Sequence, residues 1–372
     1  MERFFYFIKS KSFKYNRAII VMELPNWHNG YNYVWKKAGL VNRIRKIIKS
    51  KAFIGITLII VLLFLNNTSY FAKPLGEEPT LLAHRGLAQT FSMAGIQNDT
   101  CTAERIYEPE HSYLENTIAS MEAAFESGAD IVEFDVHLTK DDQFAVFHDW
   151  TLDCRTNGKG VTRDYTMEQL KQLDIGYGYT ADGGNSYPFR GKGVGLMPSL
   201  TEVLDYFPDH SLLIDVKSND PEEGKLLASF LSQLPEERRN KLAVYGGDEP
   251  IAALKEALPD MRVMSKATMK KCLIPYIAAG WSGYMPAACK HTEIHIPEKI
   301  APFLWGWPDK FMERMEQADN LVVLVGGDGS EFSSGFDSKE DLERLPKGYS
   351  GVIWTNRIDR IAPLYNRQNN SD

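Results

Sequence analysis

The stretch that decides the fold is Ile131–Asp149, IVEFDVHLTKDDQFAVFHD. In its first half, apolar residues alternate with Glu133, Asp135 and His137, and this period of two predicts a β-strand. Residues two apart on a strand share a face at roughly 6–7 Å, so both carboxylates can converge on one cation. If this half stood alone, an exposed sheet face with solvated charges would explain it better than a cation site would. The apolar flanks, which predict burial, and His148 on the returning strand favour a site.

Strand and helix patterns alternate along the rest of the chain. We predict eight strands: Thr80–His84, the one beginning at Ile131, Leu212–Val216, Leu242–Tyr245, Arg262–Ser265, a weak one at Gly283–Met285, Leu321–Val325 and Gly351–Trp354. Glu115-Asn116-Thr117 opens the helix before the second strand, with Asn116 or Thr117 as its cap. Eight such units in about 290 residues predict an α/β fold, a (β/α)8 TIM barrel over residues 80–365.

The N-terminal part has a different composition. Residues 1–51 carry 12 Lys and Arg against two acidic residues, whereas the rest of the chain is acidic, so binding of nucleic acid by the folded domain is not indicated. Ala52–Leu65 is uninterrupted apolar sequence, and we expect 52–72 to be a signal anchor, with a cleaved signal peptide as the alternative. The residues before Val41 are atypical of a signal sequence, and a start codon assigned too early would explain this part of the segment 1–51.

These features also predict a location. With the basic side in the cytoplasm, the barrel lies outside it, in a periplasmic or other extracytoplasmic space, attached to the cytoplasmic membrane. The four cysteines form no C-x-x-C pair, so a zinc cluster is not indicated. In an exported body they allow up to two disulfides, with three possible connectivities.

The barrel predicts that chemistry lies at the C-terminal ends of its strands. Three carboxylates from adjacent strands, Glu133, Asp135 and Asp215, suit a hard divalent cation, Ca²⁺ or Mg²⁺. Arg85 and Lys217 add positive charge that suits a phosphate. The set is completed by two histidines that can exchange protons with attacking and leaving oxygens, His84 and His148. Together they predict metal-assisted cleavage of a phosphodiester.

These residues resemble the glycerophosphodiester phosphodiesterase family. The resemblance is strong across residues 80–217 and weaker from 218 to 365, where mainly the barrel rhythm persists. The matching blocks are His84-Arg85-Gly86, Glu115-Asn116-Thr117, Glu133-Phe134-Asp135-Val136, Thr139-Lys140-Asp141, His148–Asp153, Asn157–Gly160, Pro198–Leu204 and Asp215-Val216-Lys217.

The resemblance implies a TIM barrel that hydrolyses glycerophosphodiesters to glycerol 3-phosphate and an alcohol. It implies metal ligands at Glu133, Asp135 and Asp215 and an acid/base pair of histidines. Arg85 and Lys217 would bind phosphate, and we place Glu115 and Asn116 on the substrate side, although Glu115 equally suits the helix dipole. In related barrels a substrate hydroxyl can attack to give a cyclic phosphate. Attack by water is the alternative.

The chain departs from the family pattern at several positions. The third metal ligand is usually Glu, whereas Asp215 is one methylene shorter. Cys154 stands where Arg is common, and Asn356 where Asp is usual. The excursion 87–114, which we expect to form a loop over the strand ends, is longer than usual, so the alcohol headgroup stays open. We expect His137 to be a pocket-wall or solvated residue. His295 is predicted in a loop, and Asp328 in a turn.

Two other functions fit parts of the sequence. The anchor and the excursion 87–114 would also suit a phospholipid phosphodiesterase that acts on membrane lipids. A non-catalytic binding barrel tethered outside the membrane is the third hypothesis. Two histidines beside three carboxylates argue against it, because binding alone does not require proton carriers.

Overall fold

The structure is a computed structural model that describes residues 39–73, 76, 78–97, 100–330 and 333–368. Most of the basic segment 1–51 lies outside the described residues. The chain divides into a unit of residues 1–62 and a compact unit of residues 63–372. In the described part, no single helix has the length and hydropathy to cross a membrane. The helices Gly39–Ile48 (α1) and Lys51–Asn67 (α2), bent by 60° at the break between them, meet both criteria only as a pair.

The compact unit is built on strands, all of which are parallel except β3. They are β1 (Thr80–His84), β2 (Ile131–Leu138), β3 (Phe144–Val146), β4 (Ser211–Val216), β5 (Leu242–Gly246), β6 (Arg262–Met264), β7 (Glu293–Pro297), β8 (Leu321–Val325) and β9 (Val352–Thr355). The order is β6-β5-β4-β2-β1-β9-β8-β7, with β3 returning antiparallel along β2. Because β6 also lies beside β7, eight parallel strands form a nearly closed barrel, which confirms the predicted fold.

Helices cover the outside of the barrel. They are α3 (Ile118–Glu126), α4 (Met167–Lys171), α5 (Leu200–Tyr206), α6 (Pro221–Ser232), α7 (Glu236–Arg239), α8 (Asp248–Ala257), α9 (Lys266–Ala279), α10 (Asp309–Gln317), α11 (Lys339–Leu342) and α12 (Ile358–Gln368). Thr117 caps α3 in a capping box with Ser120, so Thr117 rather than Asn116 begins this helix. The main apolar core lies between strands and helices, and a smaller cluster around Leu82 and Leu213 fills the barrel interior.

The predicted strand at Gly283–Met285 is wrong. Gly283 ends a 3₁₀ turn with a φ of +88°, a left-handed conformation that interrupts an extended chain. The strand at this place in the barrel is β7, in which Ile294 and Ile296 are buried in alternation with Glu293 and His295. His295 therefore lies on a strand, and its prediction as a loop residue is also wrong.

Two disulfides resolve the pairing that the sequence left open. Cys101–Cys154 ties the excursion 87–114 to the segment after β3. Cys272–Cys289 ties α9 to the turn before β7. The four cysteines of the chain are thus all paired.

Candidate active site

Three carboxylates meet at the C-terminal mouth of the barrel. Glu133 and Asp135 project from β2, and Asp215 on β4 is the direct register partner of Asp135. One oxygen from each lies within 4.8 Å of the other two, and both β2 carboxylates are fully buried. Asp215, although one methylene shorter than the usual Glu, therefore reaches the same point.

The electrostatics of this cluster depend on its neighbours. Burial, together with the charges of Asp135 and Asp215, raises the pKa of Glu133 well above its usual value. Burial also raises the pKa of Asp215. For Asp135 burial acts in the same direction, but Arg85 and Lys217 outweigh it and hold the pKa well below its usual value. A further positive charge at this point would favour the ionised form of all three groups.

Arg85 and Lys217 lie directly against the carboxylates. Arg85 Nε is 3.1 Å from Asp135 Oδ2, and Lys217 Nζ is 3.0 Å from Asp215 Oδ2 and 3.2 Å from Asp135 Oδ1. Arg85 has a φ of +59°, uncommon for a residue with a side chain, and its backbone N–H donates to Glu133 Oε2 at 3.0 Å. This turn at the end of β1 keeps the guanidinium beside the acidic cluster.

His84 is oriented by a neutral amide. Its Nδ1 lies 2.6 Å from Asn356 Oδ1. The amide nitrogen of Asn356 donates to Asp337 Oδ2 at 2.8 Å and to the Ser333 carbonyl at 2.9 Å, so the amide oxygen faces the ring. Nδ1–H must then donate to this oxygen, which leaves Nε2 with its lone pair on the Glu133 side.

His148 is oriented by a carboxylate instead. Its Nδ1 donates to Asp149 Oδ1 at 2.7 Å, while Asp149 Oδ2 lies 2.9 Å from Arg155 Nε. Burial and the charge of Arg85 lower the pKa of both site histidines, that of His84 to well below its usual value. The two rings therefore face the same cavity with different partners behind them.

Glu115 and Asn116 lie behind the carboxylates and Arg85, as seen from the mouth of the barrel. Asn116 donates to Asp135 Oδ2 at 2.8 Å and accepts from the Asp135 backbone N–H at 3.0 Å, so it fixes this carboxylate. Glu115 pairs with Arg85 at 3.2 Å and with Arg155 at 3.1 Å. Both residues thus support Asp135 and Arg85. A direct contact with substrate stays a prediction for each.

Two supporting residues escaped the sequence analysis. Tyr245, at the C-terminal end of β5, donates to Glu133 Oε1 at 2.7 Å. Its position at a strand end was the available signal. Arg155 is buried and also donates to Thr102 and to Tyr179, so it joins the excursion to the site. Its neighbour Cys154 occupies the position where the family commonly has Arg.

A cavity of about 280 Å³ lies above the carboxylates. Besides the site residues, it is lined by members of the excursion 87–114, which therefore covers the strand ends as expected. These are Phe91, Ile96, Gln97, Thr100 and Thr102. His295 and Trp354 also face it from the barrel. The cavity has both polar groups and aromatic surface for a small polar ligand.

His137 is buried rather than solvated. Its Nε2 lies 3.1 Å from the His148 carbonyl, its ring is edge-on to Trp150, and it lines a cavity next to His148. Burial lowers its pKa to about 4. These contacts agree with its prediction as a pocket-wall residue. Asp328 accepts from Ser330, as expected of a turn.

The barrel with this carboxylate cluster at its mouth belongs to the class of (β/α)8 proteins with a candidate divalent-cation site. A family model described as the glycerophosphoryl diester phosphodiesterase family matches residues 84–232. The match includes the blocks in which the motifs resemble this family.

Relatives whose names refer to glycerophosphodiester phosphodiesterases match part of the chain. The chain is 40% identical over 103 residues to a glycerophosphodiester phosphodiesterase of Caldanaerobacter subterraneus, covering 28% of this chain and 39% of the relative. It is 42% identical over 131 residues to one of Bacillus subtilis, covering 33% of this chain and 42% of the relative. The chain therefore spans well under two thirds of each relative's length.

The structural likeness extends over the whole barrel. The glycerophosphoryl diester phosphodiesterase domain of a Mycobacterium tuberculosis protein matches with a TM-score of 0.54 and 15% identity, over 77% of this chain and 99% of that one. An Oleispira antarctica phosphodiesterase solved with sn-glycerol-3-phosphate matches with a TM-score of 0.50 and 18% identity, over 78% and 97%. At these identities the likeness supports the fold.

Proposed function

We propose that this barrel hydrolyses glycerophosphodiesters to glycerol 3-phosphate and an alcohol, with the help of a divalent cation. The observation that carries the proposal is a cavity lined by Asp215, two cationic side chains and two histidines, with the buried Glu133 and Asp135 directly beside Asp215. The names of the relatives, glycerophosphodiester phosphodiesterases, support the same reaction.

The carboxylate cluster suits Ca²⁺ or Mg²⁺. Hard cations prefer oxygen ligands, and Glu133, Asp135 and Asp215 offer them within one coordination distance of a common point. Asp135 Oδ1 is buried without a hydrogen bond, although Lys217 lies nearby, so it can accept a ligand bond. A bound cation supplies Lewis-acid stabilisation of charge on the phosphoryl oxygens.

The two histidines suit opposite proton transfers. His84 presents an unprotonated Nε2, since its Nδ1–H is committed to Asn356, so we assign it as the base that takes the proton of the attacking oxygen. Burial and Arg85 lower the pKa of His148, but its hydrogen bond to Asp149 acts in the opposite direction and stabilises the imidazolium, so we assign His148 as the acid. As the new P–O bond forms and the bond to the alcohol breaks, His148 protonates the departing alkoxide. Attack by water gives glycerol 3-phosphate directly. Attack by a substrate hydroxyl gives a cyclic phosphate with the same two transfers, and water must then add to phosphorus and break one ring P–O bond to give glycerol 3-phosphate.

Arg85 and Lys217 hold the phosphate in this scheme. Both side chains line the cavity, and their charges face the point where the diester oxygens would lie. Arg offers a planar fork for two oxygens, whereas Lys acts as a point charge.

We also propose that residues 52–72 attach the protein to the cytoplasmic membrane, with the barrel outside the cytoplasm. The uncharged run between Lys51 and Lys73 and the basic residues before it support this orientation. Two disulfides support it further, because disulfides persist mainly in oxidising compartments.

Intact phospholipids are the weaker substrate class. The names of the relatives refer to glycerophosphodiesters, and the excursion 87–114 narrows the mouth to a cavity of about 280 Å³. A purely binding role would not explain why both histidines are oriented by hydrogen bonds toward the cavity.

The test is a panel of glycerophosphocholine, glycerophosphoethanolamine and intact phospholipid vesicles, assayed with Ca²⁺, Mg²⁺ or chelator. We expect release of glycerol 3-phosphate from the first two, loss of activity with chelator, and a decrease of roughly 10²–10⁴-fold in His84→Ala and His148→Ala. His210→Ala, an exposed histidine outside the cavity, is the matched control. Full turnover in both site variants would refute the mechanism.

A further inference from the structure

The barrel has a second distinctive surface, away from the cavity. It is formed by three segments without charged residues: 63–71, 272–289 and 300–308. Hydrogen bonds connect them. Asn66 and Asn67 both donate to the Trp281 carbonyl, at 3.1 and 2.8 Å, and Trp305 Nε1 donates to the Ile277 carbonyl at 2.9 Å. Stretches more than 200 residues apart in sequence thus meet on one side of the barrel.

This side exposes large apolar side chains. We call it the apolar face and define it by Ile274, Ile277, Trp281, Tyr284, Phe303 and Trp305, all of which are exposed. Phe303 retains 80% of its accessible surface. Single exposed apolar residues are ordinary, but six on adjoining segments mark an interaction surface.

The face is held rigidly, so its exposure is a feature of the fold. Arg314 is buried and donates to the Gly280 carbonyl at 3.0 Å and to the Asn66 carbonyl at 2.6 Å. Tyr276 donates to the Trp305 carbonyl at 2.6 Å, and the disulfide Cys272–Cys289 closes the segment that carries Trp281.

The part of the chain that carries Trp281 has charges of one sign. Between Asp260 and Glu293 the chain has five Lys and Arg and no acidic residue, although the protein as a whole is acidic. Lys270 and Lys271 are exposed on α9, one turn before Ile274. Aromatic residues and lysines around an aliphatic centre are the composition that favours the interface of an anionic membrane.

We propose that the apolar face lies in the interfacial layer of a lipid bilayer, with Lys270 and Lys271 at anionic headgroups. The chain itself indicates a bilayer as the partner of this face. Asn66 and Asn67, which donate to the Trp281 carbonyl, directly follow the apolar run 52–65. The inference rests on the proposed membrane attachment and is independent of the proposed catalysis.

The placement has a consequence for the substrate. Trp281 and Tyr284 lie in the connection to the N-terminal end of β7, whereas the cavity lies at the C-terminal ends of the strands. Phe303 and Trp305 follow the C-terminal end of β7, but Trp305 is hydrogen-bonded back to Ile277 on α9, and neither residue lines the cavity. A barrel docked by this face keeps its mouth open to water. Diesters that are already free of acyl chains then have access from solution.

The test uses the full chain in nanodiscs of phosphatidylcholine and phosphatidylglycerol. Because all native cysteines are paired, a single introduced cysteine can be labelled with an environment-sensitive dye. The positions are Phe303→Cys in the face, Tyr107→Cys in the excursion as an exposed control, and Leu58→Cys in the apolar run. Lipids with a nitroxide near the headgroup act as quenchers, and circular dichroism verifies that each variant is folded.

We expect the dye at 303 to lose more than about half of its emission, because interfacial residues lie within ~5–10 Å of the headgroup–acyl boundary. The dye at 107 should retain its emission. Quenching at 58 with none at 303 would overturn the docking and keep the attachment, whereas no quenching at either would overturn both. Cross-linking of copies through position 303, without quenching, would assign the face to a second copy and overturn the proposal.

Discussion

Replacing Arg155 by Met should destabilise the protein strongly, because this side chain joins several buried partners. It is 2% exposed and pairs with Glu115 at 3.1 Å and Asp149 at 2.9 Å. It also donates to Tyr179 and Thr102. Removing one partner of a buried ion pair leaves the other charge uncompensated, which destabilises by about 3–5 kcal/mol.

The size of the effect can be compared with a matched surface change. We expect the melting temperature of Arg155→Met to fall by on the order of 10 °C. Arg190→Met removes an exposed arginine that stacks on Tyr177 and Tyr187, and should change stability by less than about 1 kcal/mol. Thermal unfolding of both variants under oxidising conditions, followed by circular dichroism, provides the comparison.

The deficit should also depend on pH. Burial acts to raise the pKa of Asp149, but Arg155 and His148 hold it below its usual value. In the native protein its contribution is therefore present above the unfolded pKa of about 3.9 and lost as the pH falls through the lower folded pKa. Without Arg155 the folded pKa rises, and protonation relieves the buried charge. The difference should be largest near pH ~7 and shrink in acid.

Two results would refute this reasoning. One is a melting temperature of Arg155→Met that falls no further than that of Arg190→Met. The other is a deficit that does not change with pH. A second mutation tests the charge argument directly: Asp149→Asn, added to Arg155→Met, should recover part of the loss, because it removes the carboxylate that has lost its arginine partner.

Three further predictions concern the His148–Asp149 pair, the candidate cation site and the disulfide Cys101–Cys154. Asp149→Asn should lower kcat by about 10²-fold or more, because the amide cannot stabilise the His148 imidazolium, and should affect stability much less than Arg155→Met. Steady-state kinetics measures the effect, and an unchanged kcat would contradict the assigned role. Asp215→Asn should weaken cation binding by at least about tenfold in calorimetry, with Asp209→Asn, an exposed carboxylate, as its control. Cys101→Ser with Cys154→Ser should reduce stability by about 2–5 kcal/mol, because this disulfide spans 53 residues; a melting temperature equal to that of the parent would argue against the bridge.

Much of the site was accessible from short stretches of sequence. Glu133 and Asp135 share one strand, and Asp215 and Lys217 end another, so period-two alternation and the barrel rhythm predict that they lie together, as the register of β2 and β4 confirms. The same local reasoning predicts a cap at Asn116 or Thr117, of which the structure has Thr117, and the excursion 87–114 as a cover. It failed at β7, where the short weak strand at Gly283–Met285 was preferred over Glu293–Pro297.

The sequence by itself thus determined the barrel and the kinds of side chain at its mouth. Both follow from local patterns: alternation along each strand, and the order in which strands and helices succeed one another. Only the tertiary structure decided what stands behind those side chains. His84 contacts Asn356, 272 residues away, and Asn66 donates to the Trp281 carbonyl, 215 residues away. Such contacts follow from how the elements pack around the core, and packing brings together residues whose spacing in sequence carries no period.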